Sequence, residues 1–370
     1  MAASAEGTAG AELPVALCLS GGGYRAMLFH AGALLRLCEL RWVQRLDLVS
    51  SVSGGSIVAG HLASQWDAMI AGDDLSQSYR DLVLNPLLSL SRQTIDMPAV
   101  ARGFATPGGS ARRVAAAYGK HLFHGKTFQE IPDHPRFVIN ATNMQSGALW
   151  RFSKSYARDY KVGGIEKPDV GLAEAVAASS AFPPFLSPAI LRFSPDAWSW
   201  RGADPRMQRE PYTSRVVLSD GGIYDNLALE SAKRCTTLLV SDGGGHLSPT
   251  PRPQDNWLGQ LRRVLAVEDN QVRALRKRAL IDGYQRNSFT GAYWGIRTDI
   301  ENYHLADALP CPYTEALRLA AIRTRLASPS ERDRFELVNW GYAVCDAALR
   351  AHVDRSLSPP TEFPFPEVAL

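Results

Sequence analysis

Positive charge is absent from the start of the chain. No Lys or Arg precedes Arg25, and the apolar stretch over 13–19 stops at Ser20 and a glycine triplet. A secretory signal needs a basic start and a longer apolar run, so a soluble, cytoplasmic protein is expected. Long hydrophobic runs are lacking as well. The most apolar segment, 175–191, is uncharged but carries Pro183, Pro184 and Pro188 among its serines, which makes it a poor membrane span. Cysteine is scarce: Cys18, Cys38, Cys235, Cys311 and Cys345 are odd in number, scattered, and without a C-x-x-C pair. A disulfide framework and a zinc site are therefore not expected, no cofactor is called for, and a reducing compartment fits. Among the histidines only His121 and His124 lie close together, with no Cys or acidic residue nearby to complete a metal-ligand set. Nor is there an excess of charge. Forty basic against 37 acidic residues leave +3, too balanced to suggest a nucleic-acid partner.

What is present is a globular composition over 370 residues, with 45% hydrophobic and 21% charged side chains. Residues 1–12 are small and polar and read as a disordered leader. From Val15 the chain reads strand, tight loop, helix: an apolar run to Leu19, then Gly21-Gly22-Gly23, then Met27, Leu28, Ala31, Leu34, Leu35 and Cys38 at helical spacing. The arrangement repeats at once, with a strand over 46–52, a turn at Ser53-Gly54-Gly55 and a small-residue helix to Trp66. Two such units predict a parallel or mixed sheet with helices on its faces. Proline-punctuated helical patches over about 67–135 read as an insertion, a candidate cap over a site. Further strands are expected at 137–141, 148–152, 215–219 and 237–241, and a helix over 171–180. Helices are expected to fill the rest, over 257–278, over 314–326 and from Ser328 onward. In the last of these, Ser328 is the expected cap, Pro329 the first helical residue and Glu331 the capping-box partner. Phe335, Val338, Tyr342, Cys345, Leu349 and Val353 then form one apolar stripe.

Three short motifs carry chemistry. Ser53 stands between an apolar strand and a small-residue helix, followed by Gly54 and Gly55, so a sharp turn would lift its hydroxyl clear of the sheet. The bland alternative is an ordinary N-cap serine. Gly21, Gly22 and Gly23 at a strand-to-helix junction leave backbone N–H groups bare for an anion. A phosphate loop would end in Gly-Lys-Ser/Thr, which is missing here, so an oxyanion hole is the better reading, with a mere packing turn as its alternative. Asp220 ends a strand and precedes two glycines, on the edge where open α/β sheets place their sites. There a carboxylate could take a proton from a serine, although Asp242-Gly243-Gly244 offers the same local pattern.

Taken together these residues resemble a family. Gly21-Gly22-Gly23-Tyr24-Arg25, Ser51-Val52-Ser53-Gly54-Gly55 and Asp220-Gly221-Gly222-Ile223-Tyr224-Asp225-Asn226 resemble the three signatures of patatin-like phospholipases, in that family's order. The segment Ala178-Ser179-Ser180-Ala181-Phe182-Pro183-Pro184 is similar to the one that family carries between nucleophile and aspartate. The resemblance spans residues 13–245 and implies a three-layer α/β/α hydrolase with a central, mostly parallel sheet and a Ser-Asp dyad that needs no histidine. It makes Ser53 the nucleophile and Asp220 the base, with the glycine loop Gly21, Gly22 and Gly23, together with Gly54, as the oxyanion hole. Arg25 takes the family's basic position, for a structural or phosphate-facing role. Ser51 replaces the usual glycine of the elbow, a small change that leaves the nucleophile in place.

The expected function is thus a serine lipid acyl hydrolase acting on a lipid or phospholipid. Alternatives are an acyltransferase using the same dyad, a Ser-Asp-His esterase with His246 as third member, and a catalytically silent lipid binder. Because Gly22, Ser53 and Asp220 must meet, 13–245 is expected to form one catalytic domain with the 246–370 helices packed on it. Phe182, Phe185, Leu186, Trp198 and Trp200 are candidates for an acyl channel or for plain core. The helix around Leu261, Leu265, Val272 and Leu275 carries Arg262, Arg263, Arg273, Arg276 and Lys277 on other faces, which suits transient contact with an anionic membrane or simple solvation.

Overall fold

Alternation along the first strand decides how the molecule is layered. In β1 (Val15–Leu19), Leu17 and Leu19 join one apolar cluster while Ala16 and Cys18 join a second, as a period of two requires of a strand buried on both faces. The computed structural model describes residues 14–103, 106, 108–368 and 370. The expected leader, 1–12, lies outside the described residues, as do 104, 105 and 107 of the expected insertion.

The other strands are β2 (Leu48–Val52), β3 (Arg136–Asn143), β4 (Ala148–Ser153), β5 (Tyr156–Asp159), β6 (Gly163–Glu166), β7 (Ala189–Arg192), β8 (Trp200–Arg201), β9 (Arg215–Asp220), β10 (Thr237–Asp242) and β11 (Thr290–Gly295). They form one mixed sheet in the order β11-β10-β1-β2-β3-β4-β5-β6-β8, with β9 paired to β3 and β7 to β9. The five strands from β11 to β3 run parallel; β4 to β6, β8, β9 and β7 are added antiparallel. Gln145-Ser146-Gly147 makes the expected hairpin turn between β3 and β4.

The large cluster on one face is built by helices Gly23–Glu39, Gly54–Ile70 and Glu331–His352 with the insertion, whose helices include Leu75–Tyr79, Asn85–Ser91, Asp96–Gly103 and Gly109–Tyr118. The other face is covered by Ala228, Ala232 and Cys235 and by Leu280 and Tyr284 from the end of helix Trp257–Gln285. Helix Gly23–Glu39 is buried along almost its whole length because Glu331–His352 lies across its outer side. The crossing is close enough to demand glycine on both partners. A Cβ at Gly32 would land on the Val338 carbonyl, and one at Gly341 on the Phe29 carbonyl. A buried ionic chain locks the pair: Arg36 meets Asp346 at 2.8 Å, and Arg350 bonds Asp346 and Asp307. Gly341→Val is therefore expected to lower stability by about 3 kcal/mol or more, read as a shifted denaturation midpoint, because backbone blocks the added atoms.

Three readings of the C-terminal third need correction. The 246–370 region is not wholly helical: β11 extends the parallel sheet beyond β10, in register from Thr237↔Thr290 to Asp242↔Gly295. Gly291 and Gly295 weaken its strand pattern, and Gly291 sits at φ 129° with no room for a Cβ against the Leu238 backbone. The helix expected over 314–326 stops at Ala320, and Ala320 and Ile322 turn their carbonyls to Arg25. The cap of the last helix is Ser330, not Ser328. Its hydroxyl accepts from the Asp333 N–H at 3.1 Å, whereas Ser328 is tied by its N–H to Thr94 of the insertion. Phe335 and Val353 lie at the half-buried ends of the expected stripe and the residues between them are buried.

Candidate active site

The register of β3 explains how two residues 167 positions apart in sequence become neighbours. β2 pairs along β3 as far as Val52↔Asn140, and β9 takes over the same edge at Ala141↔Asp220. β2 and β9 thus meet head to head, and the residue that follows Val52 is Ser53. Gly221 confirms the join, since its Cβ position lies 3.2 Å from the Val52 side chain.

Ser53 occupies φ 52°, ψ −118°, a conformation that an L residue adopts only under constraint, between the end of β2 and helix Gly54–Ile70. The constraint comes from its neighbours. Its N–H donates to the Ser179 hydroxyl at 2.9 Å, and Ser179 in turn bonds the Asn140 carbonyl and Ser56. Gly54 and Gly55 allow the turn to press on the first loop: a Cβ on Gly54 would strike the Gly23 backbone and one on Gly55 the Leu19 and Ser20 carbonyls. Ser51, the departure from the usual elbow, is buried and bonded to Ser56 and the Val138 carbonyl, so the hydroxyl is absorbed without distortion of the turn.

Of the four glycines expected to line an oxyanion hole, three keep their amides available. Gly23 and Gly54 stand at the first position of their helices, where an N–H has no acceptor within the helix. Gly22, at φ 151°, has no acceptor for its N–H among the described residues, and its Cβ position falls 2.8 Å from the Gly243 carbonyl. Gly21 leaves the set. Its N–H is already donated to the Asn226 carbonyl at 3.1 Å, and a Cβ there would strike the Asn226 side chain. Its role is to seat the loop against the turn that follows Asp220.

Two aspartates end strands, Asp220 on β9 and Asp242 on β10, and their surroundings push them in opposite directions. Asp220 is buried, which raises its carboxyl to about 6; the Gly222 N–H at 2.7 Å and the Ser53 hydroxyl hold it down in part, and Asp269 pushes it up further. Asp242 stays below the usual carboxylate range despite burial, because Arg273, the Gly244 N–H and the Tyr293 hydroxyl all favour its charge. Only Asp220 therefore combines contact with Ser53 and the basicity of a proton acceptor. Asp225, further along the same motif, is spent on the N–H groups of Leu227 and Glu230. His246 is exposed, and its partial desolvation, with the charges of Arg297 and Arg273, lowers its pKa below the usual imidazole value. Among the described residues no histidine bonds Ser53 or Asp220.

A family model described as patatin-like phospholipase matches residues 17–233. The chain belongs to the patatin-like phospholipase family. That is a family of lipid acyl hydrolases, and the mixed sheet between helices is its fold. Human GIVD cytosolic phospholipase A2, in complex with methyl gamma-linolenyl fluorophosphonate, matches over 91% of this chain and 58% of its own, with a TM-score of 0.50 and 13% identity. A second structure of the human enzyme matches over 66% of this chain and 50% of its own, with a TM-score of 0.40 and 12% identity. VipD from Legionella pneumophila matches over 92% of this chain and 67% of its own, with a TM-score of 0.37 and 14% identity. The chain thus spans about half to three-fifths of the human phospholipase chains. No curated protein sequence matches it.

For the other candidate residues the structure separates the alternatives left open. Arg25 is buried and bonded to the carbonyls of Gly243, Ala320 and Ile322, a clamp between the β10 loop and the C-terminal third. Trp198 packs against the core on Trp150 and Phe193, and Trp200 lies tilted against Tyr156 under Arg158 at the far edge of the sheet, so neither lines an acyl channel. Leu186 is buried as well, whereas Phe182 and Phe185 are 58% exposed just past Ala181, whose carbonyl accepts from the Asp220 N–H. Two supports carried no readable signal. Buried His30 bridges the Ser241 hydroxyl and the Ser20 carbonyl beneath the glycine loop. Tyr118 of the insertion is buried close enough to Asp220 to feel its charge. No group of metal-ligating residues and no helix long and apolar enough to cross a membrane occurs among the described residues.

Proposed function

We propose that the protein is a serine lipid acyl hydrolase that cleaves fatty acyl esters of phospholipids through a Ser53–Asp220 dyad and an acyl-enzyme. The observation that carries this reading is the head-to-head meeting of β2 and β9, which sets the Ser53 hydroxyl against a carboxylate made basic by burial. Ser53 attacks the ester carbonyl and passes its proton to Asp220. The developing oxyanion is met by the amides of Gly22, Gly23 and Gly54, which need no reorganisation because the backbone fixes them. Asp220 returns the proton to the departing alcohol, and water then enters as the second nucleophile, with Asp220 again the base. An acceptor pKa near 6 is suited to both halves: it leaves the group mostly ionised at neutral pH yet far more basic than a solvated carboxylate.

The dyad is favoured over a triad because His246 is exposed among arginines that disfavour its protonation. Replacing it tests this directly. His246→Ala is expected to keep kcat/KM on a soluble ester within about twofold of the parent, with a fluorophosphonate still adding to the peptide that holds Ser53 by mass spectrometry. A collapse of turnover in His246→Ala would establish the triad instead.

A further inference from the structure

Helix Trp257–Gln285 is amphipathic the wrong way round. Its charged side faces the protein: Arg273 donates to the Gly245 carbonyl at 2.6 Å, Arg276 to the Tyr224 carbonyl at 3.1 Å, and Lys277 sits 4.3 Å above the Tyr293 ring. Its apolar side faces solvent. Trp257, Leu261, Val264, Leu265, Val272 and Leu275 recur at helical spacing on one stripe that exposed Glu268 interrupts, with Trp257 exposed to 77% and Leu275 to 57%, while only Gly259, Leu280 and Gly283 of the whole helix are buried. Soluble monomers rarely leave so many apolar side chains bare on one helix face without a partner to cover them.

The helix that carries the stripe runs past the candidate active site. Tyr224, the partner of Arg276, follows Asp220 by four residues, and Asp269 on the same helix is near enough to act on the Asp220 charge. Three more exposed apolar side chains stand beside the dyad: Phe182 and Phe185 after Ala181, and Ile223 after the Asp220-Gly221-Gly222 turn. Exposed apolar residues from two segments thus adjoin the dyad, and the helix that carries the stripe passes beside them. Arg262, Arg263 and Arg278 flank the helical stripe and pair with no carboxylate among the described residues. A second copy of this helix would bring these unneutralised cations together. An anionic surface with an apolar interior matches both features.

We infer that the outer stripe of helix Trp257–Gln285, with Phe182, Phe185 and Ile223, is the surface by which the protein seats itself on phospholipid bilayers containing anionic lipid, the site mouth downward. The stripe enters the interface between headgroups and chains, and Arg262 and Arg263 meet lipid phosphates beside it. The inference deepens the proposed hydrolase function, on which its purpose rests, but its test reads binding separately from catalysis.

Flotation with vesicles of phosphatidylcholine alone, and of phosphatidylcholine mixed with phosphatidylglycerol, measures the binding; hydrolysis of soluble p-nitrophenyl butyrate measures the chemistry. The parent protein is expected to float with the mixed vesicles. Leu261→Asp/Leu265→Asp is expected to lose about tenfold or more in vesicle affinity, with butyrate hydrolysis unchanged, since both side chains are exposed and outside the catalytic machinery. Arg262→Glu/Arg263→Glu is expected to erase the preference for phosphatidylglycerol. Undiminished vesicle binding by the double aspartate variant overturns the inference. So does light scattering that finds the parent a dimer and this variant a monomer, which would assign the stripe to a second copy. Failure of the hydrolase reading looks different: Ser53→Ala would then still turn over the butyrate ester while vesicle binding stayed intact.

Discussion

Ser53→Ala is expected to lower kcat on a soluble ester by about 10⁶-fold and to abolish labelling by a fluorophosphonate. The size of the loss follows from what remains after the change. The amides of Gly22, Gly23 and Gly54 would still face the carbonyl, but no oxygen would stand between them and Asp220. The nearest other hydroxyls cannot substitute, because Ser56 and Ser179 are buried and bonded to one another, to Ser51 and to the backbone. The fold should persist, since alanine tolerates the site no worse than serine and leaves Ser179 bonded to the same backbone N–H. Ser53→Gly makes a sharper companion. It is equally inactive, but glycine accepts φ 52° without strain and should be about 1 kcal/mol more stable than Ser53→Ala in chemical denaturation. A Ser53→Ala protein retaining measurable burst or steady-state turnover would move the nucleophile elsewhere.

The site was legible where chemistry and backbone geometry coincide in a few adjacent residues. Gly22, Gly23, Ser53-Gly54 and Asp220-Gly221 each mark a sharp change of direction at a strand end, and glycine is required there by real contacts, such as Gly54 against the Gly23 backbone. What stayed hidden was set by pairing between distant segments. Nothing local to Gly21 says that its N–H will be taken by Asn226, and nothing local to Arg25 says that it will be consumed by the carbonyls of Gly243, Ala320 and Ile322. The fold shows the same division. The strand and helix units up to Trp66 follow from periodicity, whereas β11 was masked by its glycines and declared itself only by pairing with β10. Helix Trp257–Gln285 is the most instructive case. Its period was plain, but which side faces the protein depends on where Asp242, Asp225 and the Gly245 carbonyl happen to lie.

Asp220→Asn should produce an enzyme that is nearly dead and more stable than its parent. The loss in kcat/KM is expected to be about 10⁴-fold or more, because an amide cannot take the proton of Ser53 while the oxyanion donors remain in place. The gain in stability has a separate origin. A carboxyl raised from its ordinary 3.8 to about 6 by burial is a charge held in an unfavourable place whenever the pH exceeds 6. The folded state binds its proton more tightly than the unfolded chain, so this group's contribution falls as pH rises from about 4 to about 6, and the full cost is about 3 kcal/mol above that. Asparagine removes the charge and keeps an oxygen to accept from the Gly222 N–H. Denaturation at pH 8 should therefore favour the variant, while at pH 4 the two proteins should converge. Activity of the parent reports the same ionisation from the other side. Its kcat/KM on a soluble ester should climb about tenfold per pH unit below pH 6 and flatten above it, since only the ionised carboxylate accepts the proton. A variant that keeps the parent's rate, or a pH limb that survives the substitution, would mean that a group other than Asp220 takes the proton.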